Sequence, residues 1–212
     1  MNALAIYRLL RDAYGPQHWW PADSPFEVML GAILTQNTNW RNVELAIANL
    51  KTAEALHARV IMTLDESHLQ QLIRPSGFFR QKAERLRLFC AFYLEHGGEQ
   101  GIRTLPEPRS TLLALKGIGP ETADSILLYA LELPAFVVDA YTRRIFSRLG
   151  LLSTDVSYDE TQGWFSSRLP ADTQLFNEYH ALIVQHAKQH CRVKPACGHC
   201  PLSHICPYRL QA

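Results

Sequence analysis

Apolar residues recur at helical spacing along almost the whole chain. Over residues 2–14, for example, one helical face carries Leu4, Tyr7, Leu10 and Tyr14. Two short apolar runs, VIM and FVV, are too brief to predict a sheet. The chain is therefore predicted to be all-α. The same periodicity predicts further helices over residues 25–36, 39–51, 66–73, 79–96, 108–115, 120–131, 140–149, 158–168 and 174–190.

Residues with strong helix-end preferences mark several of these boundaries. Ser24 followed by Pro25 predicts an N-cap and the first helical position after it. Ser157 and Glu160 have the spacing of a capping box. The glycine pair 97–98 predicts the end of the long helix before it. Composition, in contrast, shows no domain boundary.

Length and charge narrow the class of protein. The chain has 212 residues, 47% hydrophobic and 19% charged, which is typical of a folded globular protein with one large or two small domains. Its net charge of +1 gives no overall attraction to nucleic acid, so DNA binding has to be argued from local features. No apolar run approaches the roughly 20 residues that span a bilayer. The N-terminus lacks a signal-peptide cleavage pattern, and we expect a cytoplasmic, nucleoid-associated protein.

Four of the five cysteines crowd into the last part of the sequence with the spacing C-x5-C-x2-C-x5-C. In a reducing compartment this favours metal ligands over disulfides. Four thiolates hold either zinc or a [4Fe–4S] cluster, and the single C-x2-C pair favours the cluster, because zinc sites usually use two. His199 and His204 are interpreted as solvated loop residues, and Cys90 as a buried thiol. The predicted ligands are Cys191, Cys197, Cys200 and Cys206.

A G-x-G turn, Gly117-Ile118-Gly119, separates two predicted helices. Glycines allow left-handed backbone angles and leave amide groups exposed. The helix predicted to begin at Pro120 adds its N-terminal amides, and together they suit an anion such as one DNA phosphate. Lys116 is placed to meet the same phosphate. A tight helix–helix turn with no ligand would give the same local pattern.

The hairpin LKGIGPETAD, the segment VVD ending at Asp139, and the cysteines together resemble the endonuclease III family of helix-hairpin-helix DNA glycosylases. The resemblance extends from about Trp19 to Cys206, with a first cysteine interval one residue shorter than is usual in the family. It implies two helical domains flanking a DNA-binding cleft. One domain would span residues 22–133, with the hairpin at about 108–131. The other would combine 1–21 with 134–212 and carry the cluster loop 191–206.

The resemblance also assigns roles. The hairpin residues Lys116, Gly117, Ile118 and Gly119 would grip the DNA backbone, and Asp139 would be the catalytic carboxylate. A carboxylate at a helix start is, however, often only an N-cap.

One position departs from the bifunctional members of that family. In those enzymes a lysine, two residues after the second hairpin glycine, attacks the sugar and forms a Schiff base; here the position holds Glu121. A carboxylate cannot form an imine, so lyase chemistry is predicted to be absent, with Lys82 a weaker candidate amine. Glu121 is also explained as a first-turn acid on the helix dipole.

The segments WWPADSPFEVMLGAILTQNT, RPSGFFRQKAERL and GIGPETAD are similar to the 3-methyladenine DNA glycosylase III branch of the same superfamily, which also has a glutamate there and can lack the cluster. That similarity implies an aromatic pocket that stacks on a cationic alkylated purine. The alternative is that the tryptophan pair fills a domain junction. The implied pocket residues are Trp19, Trp20, Pro21, Trp40 and Glu121.

Two further residues match positions that enter DNA in this superfamily. Gln36 in LTQNT matches the residue that fills the gap left by a flipped nucleotide, and Phe78 in SGFF matches the intercalating wedge. A polar helix end and a core phenylalanine are the alternative interpretations.

The sequence thus predicts a monomeric, monofunctional DNA glycosylase of base excision repair. Its substrate would be duplex DNA with a damaged base, such as the alkylated purine 3-methyladenine. One alternative is a bifunctional glycosylase on oxidised pyrimidines, and another removes uracil or thymine from mismatches. A catalytically silent DNA- or metal-binding module is a third, against which the intact Asp139 argues.

Overall fold

The computed structural model describes residues 2–17, 19 and 22–211, without the side chains of 210 and 211. No β-strand occurs in these ranges, so the all-α prediction is confirmed. The α-helices are α1 (Ala3–Tyr14), α2 (Pro25–Leu34), α3 (Trp40–Thr52), α4 (Ala58–Thr63), α5 (Glu66–Leu72), α6 (Phe79–Glu95), α7 (Gly98–Arg103), α8 (Pro108–Leu113), α9 (Pro120–Ser125), α10 (Ala140–Arg148), α11 (Tyr158–Ser166) and α12 (Thr173–Gln189).

The helices fall into two compact units. The terminal unit combines Met1–Pro21 with Pro134–Ala212, and the inserted unit is Ala22–Leu133. The terminal unit holds α1 and α10 to α12, whereas the inserted unit holds α2 to α9. None of the helices in the described ranges is long and apolar enough to cross a membrane.

Helix α2 is the centre of the inserted unit. All its residues after Pro25 are buried, and Glu27 is the single charged residue among them, which fits a helix surrounded by others. Helices α3, α6 and α9 pack around it. Ser24 accepts a hydrogen bond from Glu27 N at 3.2 Å, so the predicted cap and the proline at the first helical position are confirmed.

Aromatic rings fill the core of the terminal unit. Phe136 stacks on Phe165 with ring centroids 3.9 Å apart, and Tyr179 meets both rings edge-on. The Tyr179 hydroxyl donates to Ala3 O at 2.8 Å, which ties α12 to α1. The predicted capping box at Ser157 is present and starts α11.

The structure differs from the predicted helices in three places. Helices α4 and α7 were not predicted, because neither carries a periodic apolar pattern of its own. The helix predicted over 120–131 is α-helical only to Ser125 and continues as a π-helical turn, Ile126–Ala130. Ile126, Leu127 and Leu128 are all buried there, a wider apolar surface than one face of an α-helix offers.

Candidate functional site

The predicted hairpin links α8 to α9. Gly117 has φ +87°, and a Cβ at this position would collide with the Arg85 side chain, so the turn requires glycine. Gly119, in contrast, has φ −94° and serves as the N-cap of α9. The amide of Ile118 donates to Leu115 O at 3.0 Å and its side chain is buried. In the described part of the chain, the amides of Gly117 and Gly119 donate to no other backbone group.

A partly buried ion pair joins the two helices of the hairpin. Arg109 on α8 donates through Nε and Nη2 to the two carboxylate oxygens of Asp124 on α9, at 2.8 and 3.1 Å. The Asp124 side chain is fully buried while that of Arg109 is 32% exposed, and the two parallel hydrogen bonds fix the angle between the helices of the hairpin. Lys116, at the tip, is exposed, and its Nζ lies 2.7 Å from Glu84 Oε1.

Gln36 lies against the hairpin, two residues past the end of α2. Its Nε2 donates to Gly117 O at 2.9 Å and to Thr122 Oγ1 at 3.0 Å. Its Oε1 accepts a hydrogen bond from Arg85. The amide is therefore held at both ends by the hairpin and by α6, and its entry into DNA stays a prediction.

Phe78 is an exposed aromatic residue on an uncommon backbone. Its φ of 45° and ψ of 32° are left-handed, although it is not a glycine, and it precedes the first residue of α6. Its side chain is 63% exposed, so the alternative of a core phenylalanine is wrong. An exposed apolar ring on a strained backbone is the kind of feature that functional sites maintain.

Asp139 is the N-cap of α10 and is also largely buried. Its Oδ1 accepts from Thr142 N at 2.7 Å and from Thr142 Oγ1 at 2.9 Å. Its Oδ2 lies 3.5 Å from Nε2 of His180, and the side chain is 13% exposed. Burial acts to raise the pKa of Asp139, but the hydrogen bond and charge of His180 and the bonds from Thr142 outweigh it and lower the pKa. The carboxylate is thus anionic at neutral pH.

The predicted aromatic residues are only partly described. The half-buried Trp19 meets the His180 ring edge-on, with centroids 6.5 Å apart, and Lys188 Nζ lies 5.8 Å from its ring centroid. Trp19 therefore belongs to the same cluster of side chains as Asp139. Trp40 is the half-buried first residue of α3. Trp20 and Pro21 lie outside the described residues.

The four cysteines of the terminal unit line a single cavity, together with apolar residues such as Ile145 and Leu202. Burial raises the pKa of the Cys200 thiol, and the other three cysteines add to the rise, as expected of thiols held close together. Arg148 Nη1 lies 3.3 Å from Cys191 Sγ and supplies an N–H donor to that sulfur. No group of three or more potential ligands among the described residues is arranged to hold a metal ion.

The family model for HhH-GPD superfamily base excision DNA repair proteins matches residues 30–171, which contain the hairpin, Phe78 and Asp139. The chain belongs to this superfamily. It is therefore a base excision repair DNA glycosylase by family.

Individual relatives agree with that assignment. The glycosylase is 50% identical over 206 residues to a protein of Methanocaldococcus jannaschii provisionally described as a DNA repair glycosylase, covering 95% of this chain and 94% of the relative. It is 30% identical over 185 residues to endonuclease III of Thermotoga maritima, covering 87% and 83%.

Solved structures extend the comparison to the fold. The H. pylori 3-methyladenine DNA glycosylase bound to 1,N6-ethenoadenine is 31% identical, with a TM-score of 0.78, covering 89% of this chain and 98% of that one. A non-covalent endonuclease III–DNA complex has a TM-score of 0.85 and 23% identity, covering 99% and 97%, and shows the shared fold.

Sequence reasoning missed three residues that shape the glycosylase site. His180 contacts Asp139, Arg85 holds Gln36, and Arg109 fixes the hairpin. A weak signal was available for His180, because a polar residue inside the apolar pattern of α12 needs a buried partner. Arg85 and Arg109 lie on helices with many charged or polar positions, where nothing local distinguishes them.

Proposed function

We propose that this glycosylase is monofunctional and hydrolyses an alkylated purine from duplex DNA. The observation that carries the proposal is the carboxylate of Glu121, exposed in the first turn of α9 at the position that supplies the attacking lysine in bifunctional relatives. A carboxylate cannot form the imine on which strand cleavage depends.

Two further lysines, Lys82 and Lys116, could in principle supply an attacking amine, and both make other contacts in the structure. Lys82 is buried, and its Nζ donates to Leu34 O and Ser76 O. Lys116 is bound to Glu84 at the surface of the inserted unit. The burial of Lys82 keeps its amine from a sugar, and the proposed phosphate contact of Lys116 gives that lysine another role, which supports base release without lyase chemistry.

Asp139 supplies the charge for base release in this proposal. As the C1′–N bond breaks, the bond electrons leave with the base and positive charge develops on the sugar. An anionic carboxylate stabilises that charge, or accepts the proton of the water that adds to C1′. Thr142 fixes one carboxylate oxygen and His180 faces the other, so the group is held in one orientation. An alkylated purine already carries positive charge and leaves as a neutral base.

The hairpin and Phe78 would engage the DNA. The amides of Gly117 and Gly119, with Lys116, suit one backbone phosphate. Phe78 would insert its exposed ring between bases as the target nucleotide turns out of the stack. Gln36 would fill the vacated space, for which its hydrogen bonds to the hairpin would have to break.

The preference for alkylated purines rests on aromatic residues and on one relative. Trp19, whose ring meets that of His180, offers a flat π-surface that suits a cationic purine. The 31% identical H. pylori structure is of a 3-methyladenine DNA glycosylase bound to 1,N6-ethenoadenine. Trp40 and Glu121 are proposed as further residues that contact the extruded base.

The four cysteines would hold a [4Fe–4S] cluster in the terminal unit. Their shared, partly apolar cavity and the Arg148 donor fit such a group, although the side chains are not arranged as a ready site for one ion. When bound, the cluster would supply four iron–thiolate bonds that cross-link the loop 191–206.

A glycosylase panel tests the substrate. The purified protein is incubated with duplexes carrying 3-methyladenine, 7-methylguanine, 1,N6-ethenoadenine, uracil or thymine glycol, and released bases are separated by chromatography. We expect release of alkylated purines by the wild type and not by Asp139→Asn. Release of thymine glycol or uracil alone would replace the proposed substrate with one of the alternatives.

A further inference from the structure

Lys82 is a buried lysine with no carboxylate bound to it among the described residues. Its side chain is 1% exposed, and Nζ donates to Leu34 O at 2.8 Å and to Ser76 O at 2.7 Å. Burial, with a smaller contribution from the charge of Arg85, lowers the pKa of Lys82 to about 8, so the ammonium form still prevails at neutral pH. Burying a cation is unfavourable, and a buried leucine or methionine would pack as well. The location of the two carbonyl acceptors indicates a role for the buried ammonium group.

The two carbonyls belong to the two segments that carry the proposed DNA-entering residues. Leu34 ends α2, two residues before Gln36. Ser76 ends the 3₁₀ turn Arg74–Ser76, two residues before Phe78. Carbonyls at a helix end have no intrahelical partner and attract cations, so one ammonium satisfies both ends and fixes the distance between them.

Both segments continue into left-handed backbone, which is strained at Phe78. Asn37, next to Gln36, has φ 53°, and Phe78 has φ 45°, and neither is a glycine. Asparagine adopts this region readily, whereas a bulky residue such as Phe78 persists there only where the surrounding structure holds it. Ser76 is itself anchored, since its Oγ donates to Ile73 O at 2.7 Å.

Helix α6 therefore presents a row of anchors. Phe78 precedes the helix, Lys82 lies one turn into it, and Arg85 lies three residues further on the same face. Arg85 donates to Gln36 Oε1, so the segment 34–36 is held by α6 both at its backbone and at its side chain.

We propose that Lys82 is a positioning residue that locks the Gln36 and Phe78 segments to each other, so that both residues are set for extruding a nucleotide. The inference rests on the proposed function of these two residues. It gives Lys82 a part in base flipping without contact to the DNA and without attack on the sugar.

The test is Lys82→Met, which keeps the length of the side chain and removes the donor. Base extrusion is followed by the fluorescence of 2-aminopurine placed beside the damaged base, and base release by single-turnover kinetics. A small misplacement of a positioned group lowers rates by up to about 100-fold, and we expect slowing of this order in extrusion and release. Affinity for undamaged duplex, which depends on phosphate contacts, should change by less than about threefold.

Two comparisons separate positioning from loss of stability. Ile102→Ala removes a fully buried side chain in α7, far along the chain from both segments, and should lower the melting temperature with normal extrusion. In a mutant cycle, Lys82→Met should slow extrusion little further when Gln36→Ala and Phe78→Ala are already present. Its effect on extrusion is expected to act through these two residues. Lys82→Gln, which retains one donor group, replaces Lys82→Met if the latter does not fold.

The possible outcomes are distinct. Normal extrusion by the folded Lys82 variant, alongside slow Gln36→Ala and Phe78→Ala, would overturn the inference and leave the proposed roles of those residues intact. Normal extrusion by Gln36→Ala and Phe78→Ala would reject those roles, and the inference with them. Slow extrusion in all three, with a normal Ile102→Ala, would support it.

Discussion

Replacing Asp139 by asparagine separates its two roles, because only one of them needs the charge. As an N-cap, Asp139 accepts hydrogen bonds from Thr142 N and Oγ1 through Oδ1. Asparagine has the same size, presents the same kind of oxygen, and is as good an N-cap as aspartate. The substitution removes the attraction of the carboxylate to His180 Nε2, 3.5 Å from Oδ2, and its attraction to the positive end of the helix, the latter about 0.3–1 kcal/mol.

The catalytic loss should be far larger. A full negative charge about 4 Å from a developing sugar cation, at an effective dielectric constant of about 20, stabilises it by about 4 kcal/mol. At 1.36 kcal/mol per factor of ten, Asp139→Asn should slow base release by roughly a thousandfold. Because the pKa of the buried carboxylate is lowered, the wild type keeps this charge in mildly acidic buffer and loses it only below the ordinary aspartate range.

The assay is single-turnover base release at saturating enzyme, with DNA affinity from fluorescence anisotropy and stability from thermal melting. The matched control is Asp172→Asn, the same substitution at the N-cap of α12 in the same unit, where the carboxylate accepts from Leu175 N at 2.9 Å. The control should release bases at the wild-type rate. If Asp139→Asn kept more than about a tenth of wild-type turnover, the electrostatic reasoning would be refuted and Asp139 would be only a cap.

Two other predictions follow from the hairpin and the cysteines. Borohydride should trap no covalent protein–DNA adduct with the wild type, because Glu121 cannot form an imine with the sugar. Efficient trapping would overturn the monofunctional proposal, and Lys116 and Lys82 would then be the first residues to replace. The purified protein should be brown and contain iron and acid-labile sulfide in equal amounts. Cys197→Ser should lower the content of both, and Cys90→Ala should leave it unchanged. One zinc and no iron per chain would reject the cluster.

The sequence was most informative where a local pattern determines the structure. The burial of α2 follows from its apolar run, which only Glu27 interrupts, and its start follows from the Ser24–Pro25 pair. The hairpin and the N-cap position of Asp139 were likewise read from short motifs. These features involve residues within a few positions of one another, where propensity and spacing carry the signal.

Long-range contacts were not predictable in this way. Lys82 and Leu34 are 48 positions apart, and no neighbouring residue in the sequence indicates that the Lys82 ammonium donates to a carbonyl at the end of a helix. From the sequence, Lys82 was only a weaker candidate for the attacking amine. His180 is likewise far from Asp139 in sequence. Both contacts depend on how the helices pack in three dimensions. One sequence, taken without an alignment of its relatives, indicates packing only through its pattern of apolar residues.

The buried charges of this glycosylase lie where its proposed chemistry needs orientation. Asp124 fixes the hairpin through Arg109, Lys82 joins the segments of the two residues proposed to enter DNA, and Asp139 is held at the start of α10. Glu27 is an exception, since its carboxylate accepts from Asp23 N and fastens the start of α2. Packed apolar side chains would stabilise these places as well as buried charges do. They would not fix the angle of a hairpin or the distance between two loops, because dispersion contacts are non-directional whereas hydrogen bonds to charged groups are directional. An enzyme that must hold a phosphate, a wedge and a carboxylate in fixed places therefore gains from burying charge there.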